Sequence, residues 1–154
     1  MSPRTSKEPS PDSRTDVNAK ARILVGIDFS EGASFALAEA RSLVNRLGAE
    51  LDLVYVEEGR EAADWRADDE VRAWLERESV EADTVSVRHG FPWLELSRHA
   101  RDTGPTFVVV GSHGRSGFQP LAMGSTAARL GVSSPSPVLV VPRQGNGQAG
   151  SRRA

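Results

Sequence analysis

Gly111, Gly114, Gly124, Ser125 and Thr126 follow directly on the apolar run Phe107 to Val110. Glycine lets a backbone bend sharply, or come close to a ligand, with no side chain in the way. Ser125 and Thr126 stand where a helix is expected to begin. Their hydroxyls there join backbone N–H groups that have no acceptor within the helix. Such a terminus attracts anions, and phosphate suits it well. The spacing G-x2-G-x9-G-S therefore reads as a strand, a glycine-rich loop and a helix start, and it predicts a nucleotide site. It is not a Walker A loop, because no Lys-Ser/Thr pair follows the glycines. Nor is it the dinucleotide G-x-G-x-x-G pattern, whose glycines follow the first strand. The plainer alternative is a surface loop that merely turns the chain.

The neighbouring residues carry weaker signals. Arg115 lies inside the loop, where it pairs a phosphate or is simply a surface arginine. His113 is placed to touch phosphate or ribose, but no carboxylate near it in sequence equips it for proton transfer. Gly114-Arg-Ser-Gly117 is not the G-x-S-x-G elbow of a serine hydrolase. His89 and His99 read as incidental. No histidine and carboxylate cluster has metal-ligand spacing, so no metal site is expected in the chain itself. Trp65, Trp74 and Trp93 lack interleaved basic residues, so they are read as helix-to-sheet packing and not as a nucleic-acid platform.

Composition sets the limits. The 154 residues are enough for one domain with a real core, and the net charge of −2 gives no case for nucleic-acid binding. There is no cysteine, which excludes disulfides and thiolate chemistry. No apolar stretch approaches a membrane span or the core of a signal peptide, so a cytoplasmic protein is expected. Residues 1–21 and 144–154 are rich in Ser, Pro, Gly and charge and are expected to be disordered tails around a folded region, 22–143.

Five short apolar runs alternate with helical patterns between those tails. Ile23–Ile27, Leu51–Val56, Thr84–Val87, Phe107–Val110 and Val138–Val141 are the expected strands. Helices are expected from Ala33 to Leu47 with Gly48 as the cap, from Ala62 to Glu78, from Pro92 to Ala100 and from Ser125 to about Leu130. Asp52 interrupts the second strand. This β-α order predicts an α/β fold, a three-layer, doubly wound, open parallel sheet. Ligands of such sheets bind beyond the carboxyl ends of the strands. Asp28, Val56 and Gly111 stand at those ends. Last in order, Val138, Leu139, Val140 and Val141 are expected at a sheet edge that invites a partner.

Asp28-Phe-Ser-Glu31 ahead of an Ala/Leu helix, the glycine spacing, and the ending Pro137-Val-Leu-Val-Val-Pro142 together resemble the universal stress proteins, and in particular their ATP-binding branch. The resemblance covers residues 22–143. It implies a five-stranded sheet of order 3-2-1-4-5 and a homodimer paired through Val138, Leu139, Val140 and Val141. It also implies roles. Asp28 would hydrogen-bond the adenosine, and Val56 would meet the adenine edge through its backbone. Gly111 and Gly114 would let the loop wrap ribose and phosphates. Gly124, Ser125 and Thr126 would hold phosphate oxygens, with Mg²⁺ carried by the nucleotide. The bottom-up reading agrees on Asp28, since a carboxylate accepts from hydroxyl or amino groups but repels phosphate. The segment from Glu57 to Asp83 is shorter than the resemblance implies. Its acidic run reads first as a solvated loop and helix face, and a trimmed second helix is the alternative, one that would leave the adenine side of the crevice more open.

The expected function is an ATP-binding stress-response regulator or protective factor with no catalytic residues of its own. Two alternatives remain at this stage: a dimeric interaction module of the same fold without nucleotide, and a slow ATPase.

Overall fold

The computed structural model describes residues 19–59, 65–114 and 122–143. Arg115, most of the N-terminal tail and the whole of the C-terminal tail lie outside the described residues.

The apolar runs pair as one parallel sheet of β1 (Arg22–Ile27), β2 (Glu50–Glu57), β3 (Thr84–His89), β4 (Phe107–Gly111) and β5 (Val138–Val141). Its order is β3-β2-β1-β4-β5, as the resemblance implied. Between the strands run α1 (Glu31–Leu47), α2 (Trp65–Glu78), α3 (Pro92–Thr103) and α4 (Ser125–Ser133). Successive side chains of a strand point to opposite faces. Ile23, Val25 and Ile27 of β1 accordingly pack with Ala36, Leu37, Val71 and Trp74 of α1 and α2. Leu24 packs on the other face with Leu96 and Ala100 of α3 and Leu130 of α4. Each fully buried Leu, Ile or Val contributes about 1.5–3 kcal/mol through burial alone. Two cores of this kind clamp β1 in the middle of the sheet, and the end of β1 is thereby a fixed platform.

Helix ends follow their residue chemistry. The Ser30 side chain caps α1 by accepting from the Ala33 N–H at 3.2 Å, and Gly48 closes it in the left-handed conformation, φ 60°. Pro92 opens α3, and Gly104 closes it at φ 59°. That glycine carries α3 to Thr103, past the last apolar residue at which the sequence pattern ends. β3 likewise runs on to His89, because its pairing with β2 continues to Glu57. The described part of α2 begins at Trp65, and residues 62–64, where the pattern places its start, lie outside the description.

Trp74 is buried in the core between α1, α2 and the sheet, and Trp93 packs against the other core under the Arg129 guanidinium, 5.6 Å from its ring centre. Asp52 does not interrupt β2. It is 2% exposed inside the strand, accepting from the Thr84 hydroxyl at 2.7 Å and facing the His99 ring nitrogen Nε2 at 2.8 Å. Among the described residues no helix is long and apolar enough to cross a membrane.

Candidate functional site

Beyond the carboxyl ends of β1, β2 and β4 lies a crevice of about 540 Å³. Asp28, Val56, Gly111, Gly114, Gly124, Ser125 and Thr126 all line it. Arg115, the eighth residue singled out by the sequence, lies outside the described residues.

Asp28 follows β1 at the centre of the crevice floor. Its Oδ1 accepts from the Ser30 backbone N–H at 3.0 Å and also from the Ser30 hydroxyl. Between them Phe29 adopts φ 62°, a left-handed conformation that costs a bulky residue energy. The ring offsets that cost by stacking on Tyr55 at 4.5 Å and lying 6.1 Å from Trp74. The chain thus turns its aromatic side chain into the core while Asp28 and Ser30 face the crevice.

The glycine loop is seated against the start of α1. A Cβ on Gly111 would lie 2.8 Å from the Gly32 carbonyl oxygen, and one on Gly32 would run into the His113 carbonyl. A Cβ on Gly114 would come to 2.6 Å from Asp28 Oδ2. The glycines let backbone meet backbone and leave the Asp28 carboxylate its place.

Two contacts close the base of the loop. Gly124 N–H donates to the Ser112 carbonyl at 2.6 Å, and the His113 ring joins Ser112 Oγ at 2.8 Å on Nδ1 to the Ala122 carbonyl on Nε2. A carbonyl can only accept, so Nε2 carries the proton, and in the neutral ring the Ser112 hydroxyl donates to Nδ1. His113 is therefore a clasp across the loop.

Gly124 opens α4 with φ −60° and ψ 155° and no side-chain cap. The first bond of that helix runs from Ala128 N–H to the Gly124 carbonyl. The N–H groups of Ser125, Thr126 and Ala127 precede it and line the crevice. Since the Gly124 N–H is directed to Ser112, the donors offered to an anion begin at Ser125. Another flank of the crevice is acidic, with Glu57 at the end of β2, Glu58 just after it and Glu70 of α2. Glu57 Oε2 stands 3.4 Å from His89 Nδ1, an ion-pair distance when that ring is charged. No lysine or arginine lines the crevice among the described residues. The field therefore drives a phosphate toward α4 and away from the carboxylates.

Ser30, Gly32, Ser112 and the wall residues Pro92 and Leu96 escaped the sequence reading. Ser30 carried a usable signal, as a hydroxyl residue just ahead of a helix. Gly32 and Leu96 matter through partners distant in sequence, and Pro92, legible as a helix start, joins the wall only through the fold.

Residues 21–142 match the model of the universal stress protein family. The chain is 30% identical over 147 residues to the universal stress protein YxiE of Bacillus subtilis, covering 78% of this chain and 97% of that one. The solved structure of MJ0577, a universal stress protein of Methanocaldococcus jannaschii, superposes with a TM-score of 0.70 at 26% identity, over 82% of this chain and 98% of the other. The universal stress protein of Archaeoglobus fulgidus solved in complex with dAMP has the same fold, with a TM-score of 0.59 at 19% identity over 79% and 97% of the two chains.

Proposed function

Since this chain belongs to the universal stress protein family, we propose that its crevice binds an adenine nucleotide, ATP foremost, and that occupancy regulates the protein's response to stress. One observation carries the reading: the strand-end aspartate, the glycine loop and the open N-terminus of α4 converge on one cavity of nucleotide size. The relative solved with dAMP supports an adenine base. Triphosphate oxygens accept from the N–H groups and hydroxyls of Ser125 and Thr126. The adenosine lies toward β2, its ribose hydroxyls donating to Asp28 and its base against the Val56 backbone. Mg²⁺ arrives with the phosphates and offsets their charge, as among the described residues no cluster of side chains is built to hold a metal.

The site binds more than it reacts. We read it so because binding that treats ground and transition states alike does not accelerate hydrolysis. A nucleotide seated on Ser125 instead bears on the loop that leaves at Ser112 and returns at Ala122, and so alters the surface offered to a partner. That partner includes a second copy of the chain. Among the described residues β5 is paired on one side only, and its Leu139 is exposed. Sedimentation equilibrium is expected to give a dimer, and Leu139→Lys a monomer with an unchanged circular dichroism spectrum; a monomeric wild-type protein would contradict the pairing.

Replacement of Asp28 by alanine tests the nucleotide reading. Loss of a hydrogen bond to a charged acceptor costs about 1.5–3 kcal/mol, so calorimetric affinity for ATP should fall roughly tenfold to a hundredfold. Inorganic phosphate should bind as before or slightly better, because a nearby negative charge has gone. Equal weakening of both ligands would make Asp28 a support of the α1 cap and remove it from the site.

A further inference from the structure

A second polar assembly lies beneath the crevice wall and takes no part in holding the nucleotide. It begins at Asp52, buried in β2 with Thr84 and His99 on its two oxygens. His99 is itself 8% exposed on α3, and its other nitrogen, Nδ1, faces Arg88 Nη1 of β3 at 3.4 Å. A guanidinium can only donate, so Nδ1 is the acceptor and the proton sits on Nε2, directed at Asp52. Arg88 continues through Nε to Glu95 Oε2 at 3.0 Å, and Arg98 holds the other oxygen of Glu95 at 2.7 Å. Burial raises the Glu95 pKa, but hydrogen bonds from Arg88 and Arg98 and their charges outweigh it and hold the carboxyl below its ordinary value. Glu95 supports the β3–α3 turn as well, since a Cβ on Gly90 would lie 3.2 Å from its Cγ. Within one turn of Glu95 on α3 stand Pro92 and Leu96, both lining the crevice.

We propose that Asp52, His99, Arg88 and Glu95 form a proton-sensitive tie that sets the crevice wall at Pro92 and Leu96, so that charging His99 loosens the wall and weakens nucleotide binding. The chemistry follows from the donors. A charged imidazole keeps its bond to Asp52, but its Nδ1 then carries a proton and opposes Arg88, which has no acceptor to offer. Arg88 withdraws, and Glu95 loses one of its two arginines. The other groups that meet His99 do not oppose this: Thr84 reaches it only through Asp52, Arg98 only through Glu95, and the Thr103 hydroxyl donates to its backbone carbonyl. Asp52, His99, Arg88 and Glu95 are positioning residues, since none of them lines the crevice.

The tie rests on the nucleotide reading for its consequence and is tested independently of it. In isotopically labelled protein without nucleotide, acidification from about pH 8 to about pH 5 should shift the Leu96 methyl resonances in step with the His99 ring. His99→Gln, whose amide can donate to Asp52 and accept from Arg88 without titrating, should leave those methyls still. Arg88→Gln should let His99 titrate without moving them. Calorimetry with MgATP over the same range should then show wild-type affinity falling more than that of His99→Gln, on the order of fivefold. Leu96 methyls that stay fixed while His99 charges, a His99 that stays neutral while the fold persists, or equal affinity losses in wild type and His99→Gln would each overturn the proposal. A wild-type protein that binds no nucleotide at either pH would sink the functional reading, while the methyl shifts would still decide the tie.

Discussion

Gly124→Val is expected to reduce ATP affinity about a hundredfold or more while the far-ultraviolet spectrum stays that of the wild type. The Gly124 Cβ position is only 3.0 Å from the Ser112 carbonyl oxygen and 3.5 Å from His113 Cα. Both neighbours are backbone, so neither can swing aside as a side chain would. The two methyl groups of valine force the loop base apart, break the Gly124 N–H bond to Ser112, and turn the first N–H groups of α4 away from the phosphates. Losing two hydrogen bonds to a charged ligand at about 1.5–3 kcal/mol each amounts to a factor of a hundred or more. Gly124→Ala, with a single methyl, should fall between wild type and valine. The strain is confined to one loop at the sheet end, so the core and its unfolding midpoint should change little by comparison. Calorimetric titration of the three proteins checks the order, and wild-type affinity in the valine variant would remove α4 from the phosphate site.

Asp52→Ala is expected to have the largest effect on stability, lowering the free energy of unfolding by about 2 kcal/mol. The substitution leaves the buried His99 Nε2–H without an acceptor, a stranded group that costs about 1–3 kcal/mol, whereas the Thr84 hydroxyl at the exposed start of β3 can turn to water. Removing one partner of a buried hydrogen bond generally costs more than the bond contributes as a whole, because the other partner is left unsatisfied. For that reason Asp52→Ala with His99→Leu should be less destabilised than the sum of the two single variants, and urea unfolding of all four proteins measures the difference. Strict additivity would mean that the two side chains do not act on each other.

The two cases differ in how far the sequence announces them. Gly111, Gly114, Gly124 and the hydroxyls after them were legible because a strand, a glycine loop and a helix start are local patterns. The strands were legible for the same reason, as was the resemblance that ordered them. The use made of each atom was not. Gly124 reads as a phosphate holder, yet its N–H is directed to Ser112, a fact that depends on how the loop closes. Gly32 has no local purpose and is explained only by the His113 carbonyl that lies against it. Asp52 and His99 are separated by 47 positions, so in sequence one looks like a flaw in a strand and the other like an incidental residue. Phe29 gives no sequence sign of its left-handed turn, since that conformation is held by the distant Tyr55 and Trp74 rings. Local chemistry thus located the crevice, and tertiary pairing determined which groups in it remain available to a ligand.

The central claim is that the crevice holds an adenine nucleotide with its phosphates on α4. Calorimetric titration of nucleotide-stripped protein with MgATP tests it most directly, after the purified material has been assayed for carried-over nucleotide. The account predicts one ligand per chain with micromolar or tighter affinity, or ATP already present in the preparation. A folded protein that takes up no heat-releasing equivalent of MgATP, and carries no nucleotide of its own, would contradict it.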